Sequence, residues 1–396
     1  MISFEKAYST VISTVRKLGP TELLLSEAAG CVLAEDVRSP LDMPPFDKSA
    51  MDGYALRAND AARAPVFLRC VGTVKAGNFS RRVLRKGECF KIMTGSPVPK
   101  GADCVVMVEN TETTPGGVCF KKSAKKRENI CLKGEDIRTG AVVLRKGSVV
   151  RPSEVAIAAS LGRKSLKVYR RPTVAVLNTG DEITEPGGRL SYGKIYNSNG
   201  PMLVSLLSSI DATTTYLGIA KDSKRGLTRA VKKGLTHDIF LISGGVSMGD
   251  YDLVPSVLAA CGAKEVFHKI SMKPGKPVFF GMRKNSYVFG VPGNPVSTFL
   301  AFEVFIKPAY DAMMRKKPFL RTVRGVLKDD FKQKPGRKHF VPVAAVCTKD
   351  RVEVIPVKGY HGSADIASLS RANAFMIIDG SLSFVKKNTP VDVIMW

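Results

Sequence analysis

The corner Pro292-Gly293-Asn294-Pro295 constrains this chain more than any other feature. It follows the apolar run Tyr287-Val288-Phe289-Gly290-Val291 and precedes a helical pattern from Val296 to about Tyr310. Strand, Gly/Pro turn and helix start is how α/β proteins hold anions: the turn lets backbone approach the ligand, and the helix start offers free N–H groups at a positive dipole end. One such corner alone is more often a plain turn. Two more lie upstream: Thr173-Val174-Ala175-Val176-Leu177 runs into Asn178-Thr179-Gly180-Asp181-Glu182, and Ile239-Phe240-Leu241-Ile242 runs into Ser243-Gly244-Gly245-Val246-Ser247-Met248-Gly249-Asp250. Continuous apolar runs alternating with helical stretches, here 202–209 and 225–234, predict a parallel sheet. Ligands of open α/β sheets bind beyond the carboxyl ends of the strands. Three polar, Gly-rich loops at those ends predict one shared pocket. The chain has neither a Gly-Lys-Ser/Thr phosphate loop nor a Gly-x-Gly-x-x-Gly fingerprint, so ordinary nucleotide and dinucleotide sites are not indicated.

A length of 396 residues allows two to four domains. The net charge of +26 suggests nucleic acid at first sight. The excess is diffuse, however, and its dense spots, Lys121-Lys122 with Lys125-Lys126-Arg127 and Arg81-Arg82 with Arg85-Lys86, read as solvated loops. No nucleic-acid partner is expected. No apolar run approaches the roughly 20 residues that span a bilayer, and Met1-Ile2-Ser3-Phe4-Glu5-Lys6 does not resemble a signal peptide. A cytoplasmic protein without a membrane partner is expected. The eight cysteines form no Cys-x-x-Cys pair and are expected to be reduced and mostly buried.

Along the chain, residues 1–40 read as mainly helical, with Phe4, Ala7 and Val11 on one face. The Pro44-Pro45 pair argues against regular structure in 41–55. Short β-prone runs between Val66 and Ile130 predict a small β module, and 153–161 reads as a helix. After the α/β segment, the runs 323–327, 340–346, 352–357 and 391–395 predict a β domain.

With these segments laid out, the chain resembles the MoeA-type molybdopterin molybdenumtransferases, the family that includes the E domain of gephyrin-like proteins. The resemblance rests on Pro45-Phe46-Asp47-Lys48-Ser49-Ala50-Met51-Asp52-Gly53-Tyr54-Ala55, Ile92-Met93-Thr94-Gly95-Ser96-Pro97-Val98-Pro99, Gly134-Glu135-Asp136, Thr179-Gly180-Asp181-Glu182, Ser243-Gly244-Gly245-Val246-Ser247-Met248-Gly249, Lys273-Pro274-Gly275-Lys276-Pro277 and Pro292-Gly293-Asn294-Pro295. It implies a multidomain α/β plus β fold. Residues 1–40 with 137–169 would make a discontinuous, elongated domain around an inserted β module, 41–136. Residues 170–320 would be the parallel, doubly wound molybdopterin-binding domain and 321–396 a β-barrel. The implied reaction takes adenylylated molybdopterin and molybdate, hydrolyses the phosphoanhydride with Mg²⁺, and releases AMP and molybdenum cofactor. The implied assembly is a homodimer with shared active sites. Molybdopterin adenylyltransferase and apo-molybdoenzymes would be transient partners. Ser96 stands where relatives commonly have alanine.

The residue types suit that chemistry. Glu182, Asp250 and Asp252 are candidate Mg²⁺ ligands, since the ion takes oxygen donors and few carboxylates; each reads alternatively as a loop carboxylate capping backbone N–H groups. Asp222 is a further candidate catalytic acid. Lys269, Lys273 and Lys276 suit oxyanions as compact charges, and an alternating strand would put Lys269 and Lys273 on one face; their plainer reading is surface solubility. Thr179, Gly180, Asp181, Ser243, Gly244, Gly245, Ser247, Pro292, Gly293, Asn294 and Pro295 would bind substrate. By resemblance alone, Asp52, Thr94 and Asp136 join the catalytic set and Ser96 binds substrate, all completing the partner's site; Asp52 and Thr94 otherwise read as turn residues before glycine. The four histidines have no metal-ligand spacing and receive no role. The competing readings are molybdopterin adenylyltransferase, which shares the pterin-binding fold in a single domain, and a non-catalytic gephyrin-like scaffold. The flanking domains and the intact charged loops favour the insertase.

Overall fold

The computed structural model describes residues 1–221, 223–246 and 253–396. Asp222, Ser247, Asp250 and Asp252 lie outside the described residues. The chain divides into two compact units, one of residues 35–148 and 152–166, the other of residues 1–34, 149–151 and 167–396.

Helix α1 (Phe4–Thr14) belongs to the second unit. It is capped by the Ser3 hydroxyl, which accepts from Lys6 N at 3.1 Å, and it buries Phe4, Ala7 and Val11. The helix expected over the first forty residues is shorter than predicted. Gly19-Pro20 opens an extended stretch (Pro20–Leu24), and only Leu25–Ala28 is helical again.

The first unit carries a six-stranded sheet of β1 (Gly53–Leu56), β2 (Val66–Val74), β3 (Glu88–Ile92), β4 (Cys104–Met107), β5 (Thr111–Thr114) and β6 (Gly117–Phe120), in the order β4-β1-β3-β2-β6-β5. Strand β1 falls in the stretch expected to be irregular. The prolines restrict only the chain before it, while the buried run Tyr54-Ala55-Leu56 pairs on both sides. Helix α2 (Pro152–Ser160), expected over 153–161, lies in the same unit.

The second unit contains β7 (Thr173–Thr179), α3 (Asn199–Ser208), β8 (Thr213–Ala220), α4 (Lys224–Gly234), β9 (Ile239–Ser243), α5 (Val254–Ala260), β10 (Lys264–His268), β11 (Phe279–Arg283) and β12 (Ser286–Val291). Strand order is β8-β7-β9-β12-β11-β10. The first four strands are parallel, as expected, but β11 pairs antiparallel with both β12 and β10 and makes the sheet mixed. The cause is local: β11 and β12 are joined by the two-residue turn Lys284-Asn285, with Lys284 at φ +51°, which makes a hairpin instead of a crossover. Asn178 pairs with Ser243 and Ser243 with Val291, so three strands end level. Helix α6 (Pro295–Ala301) continues through a π turn (Phe302–Ile306) into α7 (Lys307–Met313). The slipped ladder falls just before Pro308, which has no N–H to give.

Strands β13 (Thr322–Leu327), β14 (Lys338–Cys347), β15 (Val352–Pro356), β16 (Ala374–Ile378) and β17 (Pro390–Met395) follow. They close as β14-β15-β13-β17-β16-β14, a barrel filled by residues such as Val341, Val354, Met376 and Val393. Sequence reading missed β16, whose run Ala374-Phe375-Met376-Ile377-Ile378 has no alternation to mark it. One core, including Phe4, Phe289, Phe305, Phe340 and Phe375, joins α1, the α/β sheet and the barrel. All eight cysteines are free, and four are buried, fewer than expected: Cys31, Cys89, Cys104 and Cys261. Among the described residues no helix is long and apolar enough to cross a membrane.

Candidate functional site

Level strand ends bring the three predicted loops together. At Gly244 the backbone has φ +93°, and a Cβ there would lie 2.3 Å from the Thr179 carbonyl oxygen, so only glycine lets these loops approach so closely. Gly244 N donates to Val291 O at 3.1 Å, tying the second loop to the third. At Gly180, φ +143°, an added Cβ would meet the Glu182 carboxylate at 2.5 Å.

Thr179, Glu182, Ser243, Gly244 and Gly293 line one small polar cavity of about 50 Å³. Gly245, at φ +61°, follows directly. The cavity also includes Asn178, Asn197 and Asn199, which sequence reading passed over. Asn199 Nδ2 donates to Ser243 Oγ at 2.9 Å and to Gly293 O at 2.7 Å, clamping the start of α3 onto two loops. Its spacing from the strands gave no signal, because the partners are 44 and 94 residues away. Asp181 and Glu182 are exposed beside this cavity. Among the described residues no group of three or more His, Cys, Asp or Glu side chains is placed to hold a metal. Glu182 is the one candidate ligand that the structure describes.

A second, larger cavity of about 560 Å³ holds the other half of the prediction. Lys273, Lys276, Pro292 and Asn294 line it from the α/β side, and Lys332, Gln333, Arg337, His339, His361 and Ser363 from the barrel side. Asn294 Nδ2 donates to Ser363 Oγ at 2.9 Å, and Thr298 Oγ1 donates to Pro292 O at 2.6 Å, so the Pro-Gly-Asn-Pro corner is pinned on both flanks. Pro295 starts α6. Lys269 is in the lining of neither cavity. The strand expected to align it with Lys273 stops at His268, Lys269 has φ +75°, and pairing resumes only at Met272–Lys273, against Lys338 and His339. The common face predicted for these two lysines is therefore absent.

His339 is buried and was given no role from sequence. Gln333 Nε2 donates to the carbonyls of Asp379 (3.1 Å) and Leu382 (2.8 Å), which turns Gln333 Oε1 toward His339 Nδ1 at 2.6 Å. The proton therefore sits on Nδ1. Burial, helped by the charges of Lys273 and Arg337, depresses the imidazole pKa to about 4, so it is neutral at physiological pH. Arg337 Nη1 donates to Met272 O at 3.0 Å. The fixed cations of this cavity are lysine and arginine.

Asp52, Thr94, Ser96 and Asp136 belong to the other unit. Asp52 Oδ1 accepts from Thr94 N at 2.7 Å and from Thr94 Oγ1 at 3.0 Å. The Thr94 backbone N–H and hydroxyl hold this exposed carboxyl below the ordinary range. Two residues 42 apart thus form one anionic feature. Ser96 is buried, and its hydroxyl donates to Val74 O at 3.3 Å, so it shapes the loop behind Thr94. Asp136 is exposed, and its N–H donates to Met43 O.

Comparison with known proteins places this geometry in context. Residues 2–162 match the family described as MoeA N-terminal region (domain I and II), 175–312 a probable molybdopterin binding domain, and 324–396 the MoeA C-terminal region (domain IV). Proteins named molybdopterin molybdenumtransferase from Staphylococcus epidermidis and Staphylococcus aureus are each 33% identical over 400 aligned residues, covering 100% of this chain and 95% of theirs. A crystal structure of the molybdopterin biosynthesis MoeA protein of Pyrococcus horikoshii is 31% identical and superposes with a TM-score of 0.81, covering 100% of this chain and 99% of that one.

Proposed function

The chain belongs to the MoeA family and is an enzyme of molybdenum cofactor biosynthesis, and we propose that it inserts molybdenum from molybdate into adenylylated molybdopterin, hydrolysing the phosphoanhydride and releasing AMP. The observation that carries this reading is the pair of cavities on the Pro292-Gly293-Asn294 corner. One is small, polar and edged by Glu182; the other is larger and lined by Lys273, Lys276, Lys332 and Arg337. A molybdate dianion suits the basic cavity, where lysine and arginine neutralise it and Asn294 and Ser363 offer neutral donors. The terminal phosphate of molybdopterin suits the Ser243-Gly244-Gly245 loop, with Thr179 and Gly180 opposite.

Magnesium fits the polar side by donor chemistry. The ion takes oxygens, and Glu182 stands beside a lining of Asn, Thr and Ser side chains. Asp250 and Asp252 would add carboxylates. When bound, Mg²⁺ would neutralise charge on the phosphoanhydride. The chain's own part is orientation: Asn199 fixes two loops, the glycines admit the ligand, and the barrel closes the basic wall. Asp222 and Lys269 are proposed to assist the reaction. In a homodimer, Asp52, Thr94 and Asp136 would complete the partner's site, with Asp52 supplying an ionised carboxylate. Delivery from molybdopterin adenylyltransferase and transfer to apo-molybdoenzymes follow from this place in the pathway.

The test mixes purified protein with adenylylated molybdopterin, Mg²⁺ and molybdate and follows AMP release and protein-bound molybdenum together. Both signals are expected in the unmodified protein and in His237→Ala, and both should vanish in Glu182→Ala. A folded protein giving neither signal would remove the insertase reading, and ATP-dependent adenylylation instead would point to the adenylyltransferase.

A further inference from the structure

Joining molybdenum to the two sulfurs of molybdopterin forms two Mo–S bonds and breaks two Mo–O bonds, with no change of oxidation state. Each departing oxygen leaves as water and takes two protons. The two thiols release one proton each, so two of the four must come from elsewhere. A placed side chain speeds such a step when it exchanges its proton near the working pH.

The lining of the basic cavity narrows the choice of donor. Its lysines and arginine are fixed cations, suited to holding an oxyanion. Burial, helped by the Asp365 charge, pushes the Tyr360 hydroxyl up to about 12, so near neutrality it keeps its proton. His339 is already neutral, and its Nδ1 proton is bound to Gln333. Among the described lining residues this leaves His361, of the side-chain type that exchanges a proton near neutral pH.

His361 is an oriented imidazole. It lies between β15 and the short helix Ala367–Ser370. Its Nδ1 donates to Gly359 O at 3.1 Å. A carbonyl only accepts, so one proton stays on Nδ1 and Nε2 is the nitrogen that exchanges. Asp365 Oδ2 lies 3.5 Å from the same Nδ1. That carboxylate is buried; its Oδ1 accepts from Ser368 N at 3.2 Å, while Oδ2 has no hydrogen-bond partner and lies 3.9 Å from Arg371 Nη2. A cationic ring beside this oxygen offsets part of the cost of burying it. Two residues on, Ser363 Oγ accepts from Asn294 Nδ2, which ties the His361 loop to the Pro-Gly-Asn-Pro corner. Lys273 and Lys276 from the α/β side and Lys332 and Arg337 from the barrel oppose a charged ring. A dianion bound among them reverses that balance and favours the imidazolium beside it.

We propose, on the reading that the basic cavity holds molybdate, that His361 is the proton donor of molybdenum insertion. Dianion binding charges the ring at Nε2. The Nε2–H bond then breaks as an O–H bond forms on a departing oxygen, and the ring returns to its neutral Nδ1–H form. Solvent recharges it for the second oxygen, which supplies the two protons that the thiols do not.

The test begins with isothermal titration of molybdate into the full-length protein near pH 7, in buffers of unequal ionisation enthalpy. Binding should take up protons, and His361→Gln should abolish most of that uptake while leaving affinity within about twofold. The rate of appearance of protein-bound molybdenum is then followed with adenylylated molybdopterin and Mg²⁺ loaded and molybdate saturating. His361→Gln should be slower by at least about tenfold near pH 6.5 and should approach the unmodified rate near pH 9, where a neutral ring has no proton to give. Free imidazole should restore part of the rate lost in His361→Gly. The His361 side chain is 76% exposed, so neither substitution threatens the fold. Equal rates at every pH, or proton uptake unchanged in His361→Gln, would overturn the proposal while leaving molybdate in the cavity. Weakened affinity with the saturated rate retained would make His361 a binding group and overturn it as well. No molybdate binding by the unmodified protein would instead remove the oxyanion from the cavity altogether.

Discussion

Replacing Gly244 with alanine isolates the backbone geometry on which the polar cavity depends. At φ +93° an L-residue is strained by about 1–3 kcal/mol. The new Cβ would also lie 2.3 Å from the Thr179 carbonyl oxygen, a backbone atom that cannot rotate away. Relief to an ordinary contact requires a retreat of roughly 1 Å at the end of β7, against pairing with both β8 and β9. Together these put the cost at about 3 kcal/mol. The single tryptophan, Trp396, reports on the unit concerned, because its ring lies 4.9 Å from Phe299 of α6 and 4.7 Å from Phe375 of β16. Urea unfolding followed by its fluorescence should show a midpoint lower by about 1 M for a slope near 3 kcal/mol/M. Gly293→Ala is the control on the same cavity. Gly293 has no positive φ and nothing within 4 Å of an added Cβ, so its midpoint should move by less than about 0.5 kcal/mol equivalent. Equal midpoints for Gly244→Ala and the unmodified protein would refute the close-approach argument, and with it the account of how the loops converge.

Three further outcomes follow from groups on or beneath the site. Asp238 accepts two guanidinium bonds from Arg170, at 2.7 and 2.8 Å, and one from Thr173 N at 2.9 Å. Burial alone would raise its carboxyl pKa, yet Arg170 and Thr173 outweigh it and hold the value below the ordinary range. Asp238→Asn should therefore cost about 3 kcal/mol near pH 7, a gap that closes only as pH falls below 4 through the folded pKa; a constant gap down to pH 2 would contradict this. His339 titrates near 4 folded and 6.5 unfolded, so the unfolded chain binds its proton first and stability falls as pH drops through that window. His339→Asn should remove about 2 kcal/mol of the loss between pH 7 and pH 5, read by urea unfolding at both values. Arg337→Gln should weaken molybdate binding by roughly tenfold by isothermal titration, the scale of one charge-assisted contact; unchanged affinity would remove the oxyanion from the basic cavity.

Sequence resolves this molecule wherever signals are local. The apolar runs before Asn178, Ser243 and Pro292 identified three strands that the structure places side by side, and their Gly-rich ends do converge. The barrel was visible as four runs, while its closing strand, Ala374–Ile378, carries no alternation. Signals that depend on long-range partners were invisible. Asn199 is an ordinary helix-start asparagine until β9 and the Gly293 loop arrive beside it. His339 becomes a neutral wall of the basic cavity only because Gln333 fixes its tautomer and Lys273 pairs opposite it. The failed inference at Lys269 has the same origin: strand alternation is a statement about regular backbone, and a positive φ one residue after β10 ends its jurisdiction. Asp52 and Thr94 show the converse case. The turn reading and the functional reading describe one contact, since the bonds that shape the Thr94 loop are those that keep the Asp52 carboxylate ionised. Local chemistry of this kind does not choose between structure and function, and only a variant that spares the bond geometry while removing the charge, Asp52→Asn, separates them. Unchanged stability with lost AMP release would assign the carboxylate to the reaction, and retained AMP release would leave it a turn.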